Sequence, residues 1–194
     1  SKLAAVNILY RVGARNENPA RTGFAHLFEH LMFRGTRAVE NFDLPVQMAS
    51  GDNNAFTNND YTDFYITLPK DNLETALWLE SDRMEGLDIT PAKLEAEKKV
   101  VIEEFRQRYL NQPYGDQTML LRALAYKVHP YRWAAIGLAT NHIAGATLAD
   151  VESFYRAHYR PSNAILSISA DMEEERMLEL AEKWFAPLAD HPSA

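Results

Sequence analysis

His26 and His30 stand four residues apart with Glu29 between them, inside the run TGFAHLFEHLMFRGT. On a helix both imidazoles project from one face about one turn apart, the spacing at which two nitrogens meet a single metal ion. Glu29 falls on the adjoining edge. A carboxylate there, beside a Zn2+ ion, can take a proton from the attacking water and later hand it to a leaving amine. That division of labour describes peptide hydrolysis. A lone histidine on a helix is ordinarily a satisfied core or surface residue. Two histidines and a glutamate on a helix otherwise apolar all round are costly unless something pairs with them.

Two histidines need at least a third ligand. The richest source is the stretch KLEAEKKVVIEEFRQR, whose helical wheel separates its four glutamates. At about 100° per residue, Leu94, Val101 and Phe105 centre the apolar face, and Glu97 and Glu104 lie on its flank. Glu103 points nearly opposite and Glu95 drifts toward solvent. Glu97 and Glu104 are two turns apart on one line, so one can ligate a metal while the other supports a ligand from behind.

Composition narrows the alternatives. The chain of 194 residues has no cysteine, which excludes disulfides, thiolate nucleophiles and Cys-based zinc sites. Any metal must be held by His, Asp or Glu. A formal charge of −7 repels phosphate backbones, so nucleic acid is not an expected partner. No stretch reads as a membrane span or a signal peptide, which leaves cytoplasm and periplasm both open. With 46% hydrophobic residues the chain can fill a substantial core.

The elements that must position these residues follow from periodicity. Leu3 to Val12 reads as a strand ending at Gly13, and residues 16–23 as a loop. Phe24 to Phe33 is the buried helix, stopped by Gly35. A short helix is expected near Leu44 to Ala49, then a short edge strand around Ala55, Phe56 and Thr57, and a longer strand over Tyr61 to Leu68. Helices are predicted from Asp71 to Gly86, from Thr90 and Pro91 to about Arg108, and from Tyr114 to Lys127. HPYRWAAIG reads as a loop. Thr147 and Asp150 form a capping box for a helix to about Tyr159. Ala164 to Ala170 alternates as a strand, and Glu173 to Phe185 is amphipathic. The whole is one α+β domain over residues 1–194, a mostly antiparallel mixed sheet packed by helices.

These residues resemble the M16 zinc metallopeptidases, whose types include pitrilysin, insulin-degrading enzyme and the mitochondrial processing peptidase β subunit. The resemblance runs through YRVGARNE, the inverted H-x-x-E-H motif, NAFT, EKKVVIEEF and YRPSNAILSISAD. It implies one Zn2+ held by His26, His30 and Glu104, with Glu29 as general base and Glu97 supporting a ligand histidine. It also implies that Asn54, Ala55, Phe56 and Thr57 form an edge strand that pairs with an extended peptide, with Phe56 a candidate for lining an apolar pocket. Relative to the family, the usual first strand is missing. So is a second domain, in cis or on a separate subunit, that supplies an arginine and a tyrosine to the site.

The resemblance thus implies a zinc-dependent endopeptidase domain acting on peptides or small unfolded proteins. The alternative is a non-catalytic structural subunit of the same fold, although such members typically lose motif residues that are all present here. S-ribosylhomocysteine lyase also uses H-x-x-E-H but requires cysteine, which this chain lacks. His129, His142, His158 and His191 are expected to be structural or exposed.

Overall fold

A computed structural model describes residues 1–190; His191 lies outside the described residues. Strand β1 (Leu3–Tyr10) is central because its alternate residues Ala4, Val6, Ile8 and Tyr10 are all buried on one face. It pairs antiparallel with β3 (Thr62–Pro69) on one side and β4 (Ala164–Ser169) on the other. Strand β2 (Asp52–Thr57) joins the outer side of β3, giving the order β2-β3-β1-β4. The pairings are antiparallel throughout, so the expected mixed character is absent among the described residues.

Helices cover one face of this sheet. Helix α1 (Phe24–Leu31) buries Phe24, Leu27, Phe28 and Leu31 against Ile8, Tyr10 and Phe64 of the strands. The same cluster takes in Leu94 and Val101 of α4 (Pro91–Phe105) and Val151 and Tyr155 of α7 (Leu148–His158). A second cluster joins Val6, Ile66 and Leu68 to α2 (Asp43–Met48), α3 (Leu73–Glu85) and α8 (Glu174–Phe185) through Val46, Leu77 and Leu180. On the uncovered face, Asn7 Nδ2 donates to both oxygens of Asp63 (2.8 and 2.9 Å).

Helix ends follow local chemistry. Thr90 Oγ1 accepts from Lys93 N at 3.2 Å with Pro91 in the first turn, and Thr147 and Asp150 form the predicted reciprocal cap. Among the described residues, some elements depart from expectation. The α-helical part of α4 stops at Phe105 and continues as a π-helical turn over Arg106–Leu110. The next helix, α5, spans Gln117–Ala125, because Tyr114 adopts φ +60° and breaks the earlier start. A short helix, α6 (Thr140–Ala144), lies where none was expected. No described helix is long and apolar enough to cross a membrane.

Candidate metal centre

Helix α1 starts abruptly because Gly23 takes φ +94°, and a Cβ there would lie 2.8 Å from Ile136 O. A buried carboxylate then satisfies its first amides: Gly23 N donates to Glu17 Oε2 and Ala25 N to Glu17 Oε1, each at 2.9 Å. Burial pushes the Glu17 carboxyl up to about 8, against the pull of the amides of Ala25 and Gly23. No sequence pattern marks Glu17. Its one available signal is an acidic residue shortly upstream of the helix start, which a loop sequence does not distinguish from an exposed charge.

Helix α4 packs across α1 and brings a carboxylate to the two imidazoles. Glu104 Oε2 lies 3.6 Å from His26 Nε2 and 3.3 Å from His30 Nε2. The rings themselves stand 4.9 Å apart at 81°. One donor atom from each of the three residues falls within 4.8 Å of the others. Seven residues earlier, Glu97 is 1% exposed and places Oε2 3.4 Å from His30 Nδ1. Glu97 also pairs with Arg34, and Arg108 Nη2 lies 2.6 Å from Glu104 Oε1. No sequence pattern marks either arginine as part of the site, though Arg108 stands at the i+4 position of Glu104. Glu103 faces solvent beside Arg106, and Glu95 pairs with Lys98.

The electrostatics split the two histidines. Burial, reinforced by His30, lowers His26 to about 4, so that ring is neutral. Burial also pulls His30 down, but hydrogen bonds to Glu104 and Glu97 outweigh it and raise it to about 9. The bond to His30 holds Glu104 below the usual carboxylate range against its burial. Burial raises Glu97, and His30 and Arg34 more than reverse it. Two acids thus concentrate positive charge on one imidazole, at the point where a cation would sit.

The donor chemistry fits zinc. Two imidazole nitrogens and one carboxylate form a ligand set used at catalytic zinc sites, with a fourth position open. Ligands about 2.1 Å from a tetrahedral ion lie about 3.4 Å apart, close to the 3.3 and 3.6 Å separations from Glu104 to the two histidines. His26 Nδ1 is buried without a hydrogen-bond partner among the described residues, so its free nitrogen is not held as His30's is.

Glu29 is half-buried at the edge of α1. Burial raises its pKa, and the Thr57 hydroxyl and His30 pull it partly back. Helix α1 packs against β2, which sets the end of that strand beside Glu29. Just beyond β2, Asn58 N donates to Tyr61 O at 3.0 Å, so the alternation of an antiparallel ladder turns the backbone groups of Asn53, Ala55 and Thr57 outward. Ala55 N is held by Asn54 Oδ1 at 2.8 Å. Asn54 and Phe56 lie on the face opposite Ala55, and Phe56, 43% exposed, meets Tyr61 edge-on. Next to His30 and Glu97, a cavity of about 900 Å³ opens, walled by Phe33, Arg34, Leu44 and Trp78.

A family model described as insulinase (peptidase family M16) matches residues 1–134. The chain belongs to the M16 peptidases. A second model, described as the peptidase M16 inactive domain, matches residues 145–193. Strand β4, from the second stretch, pairs with β1 from the first, so one sheet draws on both. Among curated relatives, the zinc protease PqqE of Helicobacter pylori is 36% identical over 185 residues, covering 94% of this chain and 41% of its own length. A probable mitochondrial-processing peptidase subunit beta of Arabidopsis thaliana is 25% identical over 197 residues, covering 100% of this chain and 36% of its own. The chain therefore spans about two fifths of the length of these relatives.

Solved proteases share the fold. A protease from Helicobacter pylori superposes with a TM-score of 0.95 at 34% identity, over 100% of this chain and 47% of that one. The first half of the periplasmic protease PqqL from Escherichia coli gives 0.86 at 24% identity, over 100% and 43%. Of the remaining histidines, His142 Nδ1 accepts from Thr22 N at 3.1 Å, His129 Nδ1 accepts from Tyr131 N at 3.2 Å, and His158 packs on Phe154.

Proposed function

We propose that this chain is the zinc-binding, catalytic part of an endopeptidase that hydrolyses peptides or small unfolded proteins. The convergence of His26, His30 and Glu104 beside the half-buried Glu29, at the end of an edge strand, carries the reading. His26 and His30 offer Nε2 and Glu104 offers Oε2 as ligands, and Glu97 fixes the His30 ring through Nδ1. A zinc ion held there supplies a Lewis acid that polarises the scissile carbonyl and makes water nucleophilic near neutral pH.

The chain's own residues do the rest. Ala55 and its neighbours present outward backbone groups to which an extended substrate adds as a further strand. A substrate carbonyl that accepts from Ala55 N takes the place of Asn54 Oδ1. Phe56 offers apolar surface beside that strand. Glu29 takes the proton from the attacking water as its oxygen bonds to the scissile carbonyl carbon, then delivers that proton to the amine as the peptide C–N bond breaks. A second M16 domain, linked or separate, completes the site with the groups this chain does not supply.

The match of residues 145–193 to a model described as inactive favours a second reading, a non-catalytic structural subunit. One experiment separates the two. The full-length protein is incubated with an unstructured peptide, with and without a chelator, followed by added zinc. Cleavage lost with chelator and restored by zinc supports the peptidase. Zinc-independent inertness across varied peptides favours the structural subunit.

A further inference from the structure

The segment HPYRWAAIG reads as a plain loop, yet Trp133 within it is 2% exposed and bonded on two sides. Its indole Nε1 donates to Ala14 O at 2.9 Å and to Glu17 Oε2 at 3.1 Å. Its backbone carbonyl accepts from Asn59 Nδ2 at 3.1 Å and from Arg122 Nη1 at 3.4 Å. Glu17 is the carboxylate that clamps the first turn of α1. Asn59 sits in the turn joining β2 to β3. A single residue therefore ties the helix bearing His26, Glu29 and His30 to the end of the edge strand.

Neighbouring bonds tighten the same junction. Ala14 N donates to Asn58 O at 3.0 Å and Arg15 N to Asn59 O at 2.9 Å. Arg15 Nη1 lies 3.0 Å from Asp60 Oδ1, and the Tyr131 hydroxyl donates to the Asp60 carboxylate at 2.6 and 2.7 Å. Arg122 Nη1, from α5, donates to Asn59 Oδ1 at 2.9 Å and Tyr131 O at 3.0 Å. Residues 13–17, the β2–β3 turn and residues 131–133 thus lock together near the Thr57 end of β2.

The geometry points to Trp133 as a positioning residue for peptide hydrolysis, setting α1 against β2 so that Glu29 and the metal donors meet the paired substrate in register. This inference rests on the metallopeptidase reading of the site. Trp133 acts through Glu17 and Asn59 rather than by touching substrate. Packing alone is a weaker account, because a phenylalanine fills most of the same volume. What it lacks is the donor to a buried carboxylate, whose loss leaves Glu17 one partner short. Misplacement of a catalytic group by about 1 Å costs on the order of 100-fold in rate.

The test uses the full-length protein with an unstructured peptide, measuring zinc affinity, kcat, KM and the urea midpoint. Trp133→Phe is expected to lower kcat by about 10-fold or more while the protein remains folded. Asn59→Ala, which frees the strand side, is expected to raise KM several-fold with zinc affinity unchanged. If both variants keep wild-type kcat and KM and lose only urea resistance, Trp133 is a packing residue and the proposal fails. Should the indole variant not fold, Asn59→Ala decides alone, an unchanged KM overturning the proposal. A wild-type protein that neither binds zinc nor cleaves peptide overturns the peptidase reading itself, and this inference with it.

Discussion

Glu97 and Glu104 divide one imidazole between them. Glu97 Oε2 stands 3.4 Å from Nδ1 of His30, and Glu104 Oε2 stands 3.3 Å from its Nε2. In the proposed metal site the first carboxylate orients the ring and raises its basicity, and the second shares the nitrogen that would face the metal. Glu97→Gln keeps a hydrogen-bonding group but removes the charge, so zinc affinity is expected to fall by about 10- to 100-fold without abolishing binding. Competition against a chromophoric chelator measures this. An unchanged affinity would place Glu97 outside the metal's support.

Glu29 makes no contribution to the donor set in this account. Glu29→Gln therefore retains zinc at wild-type stoichiometry while peptide hydrolysis falls by about 100- to 10,000-fold, the range expected for a lost proton-transfer group. Parallel metal analysis and peptide cleavage decide it. A variant that loses zinc and activity together would make Glu29 a ligand instead.

Arg83 and Glu80 form a buried bidentate pair in α3, at 2.5 and 2.8 Å, with the guanidinium over Phe64 (4.3 Å) and Phe42 (4.4 Å). Arg83→Met strands the Glu80 carboxylate and is expected to cost about 3–5 kcal/mol, seen as a lowered urea midpoint. The double variant Glu80→Leu/Arg83→Met should recover most of that loss, because no charge is then left uncompensated. Equal instability of single and double variants would contradict the explanation.

Burial, aided by Arg160, holds the pKa of His158 below its ordinary value of 6.5. The folded chain thus resists a proton that the unfolded chain accepts, so the stability tied to this ring is present above pH 6.5 and is lost as pH falls below it. His158→Gln should flatten that part of the pH profile, read as the difference in urea midpoint between wild type and variant from pH 8 to about 5. Parallel profiles over that range would remove His158 from the linkage.

The grouping of His26, His30 and Glu104 was legible because a helix converts sequence spacing into direction. The four-residue step of His26 and His30 survives as a shared face, and the wheel that set Glu97 inward and Glu103 outward matches a 1% exposed Glu97 and a solvent-facing Glu103. The strands were legible where alternation is strong, as in β3. Boundaries were less so. Tyr114 at positive φ and the π-helical turn over Arg106–Leu110 arise from how the chain leaves α4, which periodicity does not encode. Glu17 and Trp133 were invisible for a related reason. They lie in loops, and their partners at Gly23, Ala25 and Asn59 are set by tertiary path alone.

Zinc content of the purified protein, wild type beside Glu104→Gln, at neutral pH without added chelator, tests the central claim most directly. The account predicts about one zinc per wild-type chain and its loss in the variant. Zinc retained at full stoichiometry by Glu104→Gln, or absent from wild type even after zinc is supplied, would contradict it.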